Sequence, residues 1–311
     1  MLDSFKRFKE YISKYQLGST LDKVSFKCLT SLKIGGTCEI LFIPDDIESL
    51  SFGIKYLINL NIPYFIIGAG TNLLVNDRDF KLVVISLKKI KRYYIQKEDK
   101  ESVYIYAEAG VRSPILSDYL ALRKITGAEF LSVIPGTIGG LTYMNAGAYK
   151  KAMEDIVDSV TFIDGKGDIQ TIKNKDNKLK FSYRESLFKT NNYVIISVIL
   201  KLRYINISDE LPKEKIKRFL INKKESQPLE KANAGSTFKN NRDLLSWQII
   251  DKLGLRGYQI GGAKVNEKHA NFLVNESDAT FLDMIALLEL IIYEAKKQLN
   301  IDMECEWEIL E

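Results

Sequence analysis

The chain has 311 residues, of which 46% are hydrophobic and 27% charged, and a net charge of +5. Disordered and fibrous classes are excluded, and the length predicts two or three packed units rather than one core. A nucleic-acid binder would concentrate more positive charge, so none is expected; a pocket for an anionic nucleotide and plain solubility suit the mild excess equally. The 3 cysteines, Cys28, Cys38 and Cys305, lack C-x-x-C spacing. Their odd number speaks against a disulfide framework and for a reducing, cytoplasmic compartment. Residues 1–10 carry charges and no apolar core segment, so no signal peptide is read. No run of about 18 apolar residues marks a membrane span.

In chain order, the first twenty residues read as a short amphipathic helix. Ser25 to Pro44 alternates around Gly35-Gly36, which predicts strands joined by a tight turn. Asp46 to Leu60 predicts a helix closed by Pro63, and Tyr64 to Ile67 a short strand. Leu82 to Ser86 and Val103 to Ala109 predict further strands, and Pro114 to Arg123 a helix. Val157 to Ile163, Ile169 to Ile172 and Val194 to Leu202 are β-rich. Asp209 to Lys224 has helical periodicity and reads as the join between two domains. Helices follow at Asp243 to Leu253 and Asp278 to Leu299, on either side of a loop at Gly261-Gly262. A final strand is expected from Met303 to Leu310. Short strands with scattered helices predict an α+β architecture rather than a regular βαβ array.

Gly68-Ala69-Gly70 follows a strand, where a phosphate-binding turn would sit. Glycines let backbone N–H groups approach an anion closely. A Rossmann fingerprint would need glycine at position 73, which is Leu73, and no Gly-Lys-Ser/Thr follows for a P-loop. Taken alone the segment reads as readily as a plain turn. A second glycine-rich stretch, Ile134-Pro135-Gly136-Thr137-Ile138-Gly139-Gly140, changes that balance. Two such loops suit the two phosphates of one dinucleotide.

These residues also carry a family resemblance. Gly68-Ala69-Gly70-Thr71-Asn72-Leu73-Leu74-Val75 resembles the G-x-G-S-N-L-L-V loop of the UDP-N-acetylenolpyruvoylglucosamine reductase (MurB) family. Ile134 to Gly140 with Met144 to Tyr149 resembles its I-P-G-T-I-G-G…M-N-A-G-A-Y, and Tyr183 to Phe188 its Y-R-x-S-x-F. Ala234 to Asn240 resembles A-G-S-x-F-K-N, and Leu253 to Asn275 the family's G-L-x-G…G-G-A…K-H-A-N-F-x-x-N. Met303 to Trp307 resembles L-E-P-E-V, and Thr30 to Gly36 also resembles a family segment. The blocks stand in the family's order from about residue 30 to the end. Departures are Thr71 for serine, Lys150 for glycine, Asn241 for proline, and Cys305 and Trp307 for proline and valine. No extra tyrosine-bearing loop is seen, as in the shorter of the family's two types.

The resemblance implies an FAD-binding fold of the vanillyl-alcohol oxidase/PCMH type with a C-terminal α+β substrate-binding domain. It places the FAD-binding domain at 1–205, in two subdomains split near 65, and the substrate domain at 206–311. It further implies a cytoplasmic, monomeric enzyme of peptidoglycan synthesis, with FAD as cofactor and NADPH as co-substrate. That enzyme reduces the enolpyruvyl ether of a UDP-sugar to a lactyl ether. The cofactor-binding residues would be Gly68, Ala69, Gly70, Thr71, Asn72, Leu73, Pro135, Gly136, Thr137, Gly139 and Gly140. Ser236 would be the proton donor, Arg184 would face a carboxylate or developing enolate, and Glu306 would complete the catalytic set. Tyr149, Tyr183, Lys239 and Asn240 would contact the nucleotide sugar.

On residue chemistry alone these assignments stay open. A serine after Gly235 is as readily a turn residue, and Arg184 a surface ion pair beside Glu185. Tyr149 reads equally as a half-buried aromatic. Glu304, Glu306 and Glu308 share one face of a strand at period two; only the family pattern selects Glu306. His269, the 1 histidine, reads as structural rather than as a ligand, and no catalytic triad or metal site can be built around it. A flavin oxidase of the same superfold and a catalytically silent nucleotide-binding module are the alternative readings. The latter has no need of a proton donor.

Overall fold

The computed structural model describes residues 2–311 apart from positions 176, 192, 242 and 243. Local chemistry sets the first helices. α1 (Leu2–Lys14) buries Phe8 and Ile12. α2 (Ile47–Asn59) is capped by Asp46, whose carboxylate accepts from the Ser49 N–H at 2.8 Å. Those backbone donors hold the Asp46 carboxyl below the usual range. The Phe8 ring meets Phe42 edge to face at 5.6 Å, and Tyr11 stacks on Tyr56 at 3.9 Å.

The chain divides into two compact units. Unit one holds the residues up to Lys23, then Glu39–Ala69 and Lys81–Ile221; unit two holds Val24–Cys38, Gly70–Phe80 and Asn222–Glu311. A single boundary at 205/206, the division drawn from the sequence, therefore differs from the compact units. Two short early segments group with the C-terminal third, and the last crossing falls within α5 (Pro212–Ser226).

Unit one carries two sheets. One is four-stranded, ordered Gly18–Ser25, Thr37–Pro44, Phe80–Ser86, Tyr64–Ile67, the last two parallel. The other runs Ile169–Lys173, Val157–Ile163, Val194–Tyr204, Val103–Glu108, Tyr93–Glu98 with antiparallel pairings, and Ile125–Thr126 adds to Val194–Tyr204. Alternate residues of these strands, such as Ile105, Val160, Val198 and Leu200, bury beside α3 (Ser113–Leu122). The short α4 (Ile138–Tyr143) occupies the second glycine stretch, which the sequence presents only as a loop.

Unit two is built on a four-stranded sheet ordered Ala232–Asn233, Leu273–Asn275, Ala263–Val265, Gln259–Ile260. α6 (Ser246–Lys252) and α7 (Phe281–Leu299) share its core, to which α7 gives Met284, Leu287, Ile291 and Ala295. A helix from Asp243 is expected from the sequence, and that first residue lies outside the described residues. α7 starts on a capping box between Thr280 and Asp283. The Asp283 carboxylate also accepts from the Gly262 N–H at 3.2 Å. Gly261 has φ +54°, and a Cβ there would lie 2.2 Å from Asp283 Oδ1, so the Gly261-Gly262 loop is a close-packed seat for α7.

Two strand expectations change. Ser25 to Pro44 is not a hairpin: Gly18–Ser25 and Thr37–Pro44 flank an irregular stretch in which the Phe26 N–H bonds the Gly36 carbonyl at 2.8 Å. The tail is not one strand either. Only Glu308–Leu310 pairs, in parallel with Leu73–Val75, while Cys305 forms an isolated bridge to Phe238. Period two therefore does not put Glu304, Glu306 and Glu308 on one face. Among the described residues, the buried Trp307 indole N–H, next to Glu306, has no hydrogen-bond partner.

Candidate active site

In unit one the two glycine loops meet at one hydroxyl. Gly68 ends the strand Tyr64–Ile67, and a Cβ on it would lie 2.5 Å from Thr137 Oγ1. Thr137 is the N-cap of α4, its Oγ1 accepting from the Gly140 N–H at 3.4 Å. The second loop turns its carbonyls inward: the buried Ser113 hydroxyl donates to the Ile134 carbonyl at 2.6 Å, and its N–H to the Gly136 carbonyl at 3.2 Å. Pro135 has no N–H to offer. The Gly139 N–H is used by the Ala109 carbonyl at 2.9 Å, and a Cβ on Gly139 would meet Ala109 Cβ at 2.7 Å. The amides of Gly139 and Gly140, expected to face a pyrophosphate, thus bond within the protein, and Gly139 serves close packing.

Several strained backbone positions of unit one belong to the segments around Arg184. Asn145, Tyr149, Lys150 and Arg184 all have positive φ, which costs non-glycine residues about 1–2 kcal/mol each. Gly147-Ala148 pairs with Lys151-Ala152 across the corner Tyr149-Lys150, whose φ values of +54° and +63° match the two left-handed positions of a hairpin turn. The buried Asn145 amide donates to the Ser182 carbonyl at 2.7 Å and accepts from the Glu154 N–H at 3.0 Å. It thereby ties this hairpin to the turn Ser182–Glu185, whose end residues exchange two backbone bonds. Arg184 sits at the second corner of that turn with φ +59°, and its Nη2 donates to the Gly147 carbonyl at 3.3 Å. Tyr183, 49% exposed, lies beneath the same guanidinium.

Tyr149 stacks on Phe219 of α5 at 3.7 Å, and its hydroxyl donates to the Phe219 carbonyl at 3.1 Å. α5 is itself pinned by Lys215, which reaches the buried Glu129 carboxylate at 3.3 Å. Burial acts to raise the Glu129 carboxyl, but Thr126, backbone donors and Lys215 together hold it below its ordinary value.

In unit two, Gly70 has φ +63° and packs so tightly that a Cβ would sit 2.0 Å from the Leu29 carbonyl oxygen. The Ser31 N–H donates to the Gly70 carbonyl at 2.9 Å. Asn72 holds the tail: its side-chain amide donates to the Glu306 carbonyl at 3.1 Å, and its carbonyl accepts from the Glu308 N–H at 3.0 Å. Leu73 begins the short strand beside Glu308.

Ser236 and Glu306 are half-buried and belong to neighbouring stretches of backbone. The Glu306 N–H donates to the Thr237 carbonyl at 2.8 Å and the Lys239 N–H to the Glu304 carbonyl at 2.9 Å. Gly235 has φ +78°, and its N–H bonds the Asn233 side chain at 2.9 Å. Ser31 Oγ donates to the Asn233 carbonyl at 2.6 Å, so one serine grips both Gly70 and the approach to Ser236. Lys239 Nζ pairs with Glu304, while Asn240 Oδ1 accepts from the Ser246 N–H at 3.1 Å and steadies the start of α6. Ser31 and Asn271 stand in no motif that assigns them a chemical role and so escape a reading by sequence. His269 accepts from the Asn271 N–H at 3.3 Å and meets Phe272 edge-on. Burial and the nearby Arg256 hold it below its ordinary range, so it is neutral at pH 7. Among the described residues, no group of three or more His, Cys, Asp or Glu is placed to hold a metal, and no helix is long and apolar enough to cross a membrane.

Residues 227–310 match the family described as UDP-N-acetylenolpyruvoylglucosamine reductase, C-terminal domain, and residues 38–173 match an FAD binding domain. The chain is 37% identical over 281 residues to UDP-N-acetylenolpyruvoylglucosamine reductase of Caldanaerobacter subterraneus subsp. tengcongensis, covering 90% of each chain. The chain belongs to the UDP-N-acetylenolpyruvoylglucosamine reductase family. It is 35% identical to the protein of that name in Clostridium tetani, covering 96% of each. The crystal structure of the Thermus caldophilus reductase (MurB) is similar at a TM-score of 0.77 and 28% identity, over 93% of this chain and 98% of that one. Berberine bridge enzyme from Eschscholzia californica, at a TM-score of 0.50 and 15% identity over 64% of this chain and 43% of its own, shares the fold alone. The fold is α+β with an FAD-binding domain of the vanillyl-alcohol oxidase/PCMH type, as the resemblance implies.

The residues fit FAD as the cofactor of this reductase family. Gly68 brings the first loop against the Thr137 hydroxyl of the second, where a side chain would not fit. The Ile134 and Gly136 carbonyls are bonded inward, as are those of Gly70 and Asn72 within unit two.

The departures from the reductase pattern have structural consequences. Lys150 occupies a φ of +63° where the family has glycine. Lys150→Gly is expected to stabilise the protein by roughly 0.5–1 kcal/mol, because relieved left-handed strain exceeds the added freedom of the unfolded chain. A thermal melt of the two proteins checks the sign. Cys305, at a family proline, has its thiol pushed up to about 11 by burial, with the neighbouring Glu306, Glu308 and Glu304 adding to the effect. At pH 8 roughly one Cys305 in a thousand is then thiolate. In the folded protein a disulfide reagent should titrate the exposed Cys28 promptly and the half-buried Cys305, with its raised pKa, much more slowly. Labelling of Cys305 as fast as Cys28, read by mass spectrometry, would contradict its raised thiol pKa.

Proposed function

We propose that this chain reduces the enolpyruvyl ether of UDP-N-acetylglucosamine enolpyruvate to the lactyl ether of UDP-N-acetylmuramate, a step of peptidoglycan synthesis, using NADPH. The observation that carries the reading is the bond from the Glu306 N–H to the Thr237 carbonyl, which holds the tail carboxylate residue against the segment that presents Ser236. When bound, FAD supplies the hydride chemistry between NADPH and the alkene. The net change adds one hydride and one proton across a carbon–carbon double bond. The Ser236 hydroxyl gives the proton to the carbon next to the one that receives hydride. A serine hydroxyl is a weak acid in water, so neighbouring groups must stabilise the alkoxide left behind. Arg184 offers a permanent planar cation to the substrate carboxylate, whose negative charge spreads into an enolate as the reaction proceeds. Its positive φ and its bond to Gly147 hold that fork in one orientation. Glu306 orients groups around the enolate.

Gly68, Ala69, Gly70, Thr71, Asn72, Leu73 and Pro135 to Thr137 are assigned to FAD. Gly139 and Gly140 are assigned to shaping the loop rather than donating to phosphate. Tyr149, Tyr183, Lys239 and Asn240 are assigned to the nucleotide sugar. A diphosphate near Lys239 would compete with the exposed Glu304 carboxylate for its ammonium. Cytoplasmic residence and a monomeric state belong to the same reading. Purified protein should be yellow and should oxidise NADPH only when the UDP-enolpyruvyl sugar is added. FAD-reconstituted protein that leaves NADPH untouched with that substrate would overturn the assignment.

A further inference from the structure

Ser236 precedes a three-residue segment with strand-like bonding on both edges. On one edge the tail supplies the partners: the Thr237 carbonyl accepts from the Glu306 N–H at 2.8 Å, and the Lys239 N–H donates to the Glu304 carbonyl at 2.9 Å. On the other edge, no strand among the described residues pairs with the residue between them, Phe238. A side chain takes that place. Asn271 Nδ2 donates to the Phe238 carbonyl at 2.9 Å, and Asn271 Oδ1 accepts from the Phe238 N–H at 2.9 Å. The Asn271 carbonyl also accepts from the Thr237 N–H at 2.8 Å, and the Leu273 N–H donates to Thr237 Oγ1 at 3.0 Å. Asn271 and Thr237 are 3% and 0% exposed, so water cannot replace these bonds. One primary amide, satisfied at both ends, thus fixes the outer edge of the stretch that bears Ser236, while backbone bonds fix its other edge to the stretch that bears Glu306.

We propose that Asn271 is a positioning residue for the Ser236 hydroxyl, acting through the backbone of Thr237 and Phe238 and touching no substrate atom itself. The proposal rests on Ser236 as proton donor. Asn271→Asp keeps the shape and the acceptor for the Phe238 N–H, but it turns the donor toward the Phe238 carbonyl into a repelling oxygen. The segment then shifts. A displacement on the order of 1 Å at a reacting group costs about 10²-fold in rate.

The experiment is stopped-flow on FAD-loaded protein, with flavin reduction by NADPH and reoxidation by the UDP-enolpyruvyl sugar followed separately in wild type, Ser236→Ala, Asn271→Asp and the double variant. Asn271→Asp should slow reoxidation by about 10²-fold and leave reduction within about twofold of wild type. The double variant should reoxidise no more slowly than Ser236→Ala alone, because Asn271 acts only through Ser236. A merely structural residue would lower both half-reactions together, or its loss would multiply with that of Ser236→Ala; either result overturns the positioning role. Reoxidation of Asn271→Asp at the wild-type rate does so too. A wild-type rate in Ser236→Ala overturns instead the proton-donor reading. Asn271→Ser, which buries no charge, is read in the same way if Asn271→Asp does not fold.

Discussion

Ser236→Ala should leave flavin reduction by NADPH nearly intact and slow reoxidation by the UDP-enolpyruvyl sugar by about 10²–10⁴-fold, the usual scale of a general-acid contribution. The asymmetry follows from where the proton is needed. Hydride passage from NADPH to the flavin does not involve the alkene, whereas reduction of the alkene leaves a carbon that must be protonated. The substitution removes one oxygen from a half-buried residue whose neighbours are fixed through their backbones. Thr237 keeps its bonds to Glu306 and Asn271, and Gly235 keeps its bond to Asn233. The fold should therefore be unmoved, with a melting temperature close to wild type. Stopped-flow of the two half-reactions checks the prediction, and equal losses in both would make Ser236 a structural residue.

Gly70→Ala should strongly destabilise the folded protein. Its φ of +63° is open to glycine but costs alanine about 1–2 kcal/mol. The new Cβ would also lie 2.0 Å from the Leu29 carbonyl oxygen and 3.0 Å from Thr30 Cα, both backbone atoms that cannot swing aside. Overpacking of this kind adds about 1–3 kcal/mol, so the total is roughly 2–5 kcal/mol. The loop would have to move, and with it Asn72, which holds the Glu306 carbonyl. Purified Gly70→Ala should melt several degrees lower and carry less flavin per mole of protein, read from the ratio of visible to ultraviolet absorbance. Gly165→Ala is the control, since a Cβ there meets nothing within 4 Å. Equal flavin content and melting temperature in both variants would show that the Gly70 contact is not needed.

Much of this protein was legible without coordinates, and the reason is locality. The Asp46 cap of α2 and the apolar face of α7 lie within a few residues of the structure they determine. So do the β-rich strands at 157–163 and 194–204. The ordered motif blocks identified the family, because backbone-shaping glycines and reactive side chains stand at fixed spacings. Which job each glycine performs depended on distant atoms. A Cβ on Gly68 would meet Thr137, whereas Gly139 packs on Ala109 and bonds its carbonyl, and only the packed chain shows which glycine amides are already used. The tail shows the same limit. Its alternation reads as one strand, yet its partners are Phe238 for Cys305 and Leu73–Val75 for Glu308–Leu310. Asn271, a plain buried amide in the sequence, stands in for a missing strand only because the fold brings Phe238 to its side. The sequence by itself determined the helices, the main strands, the family and the candidate chemical groups, since these follow from local propensity and motif. Tertiary structure alone decided which backbone donors remain for a cofactor and what holds the Ser236 segment in register, because hydrogen bonds between distant stretches exist only once the chain has closed.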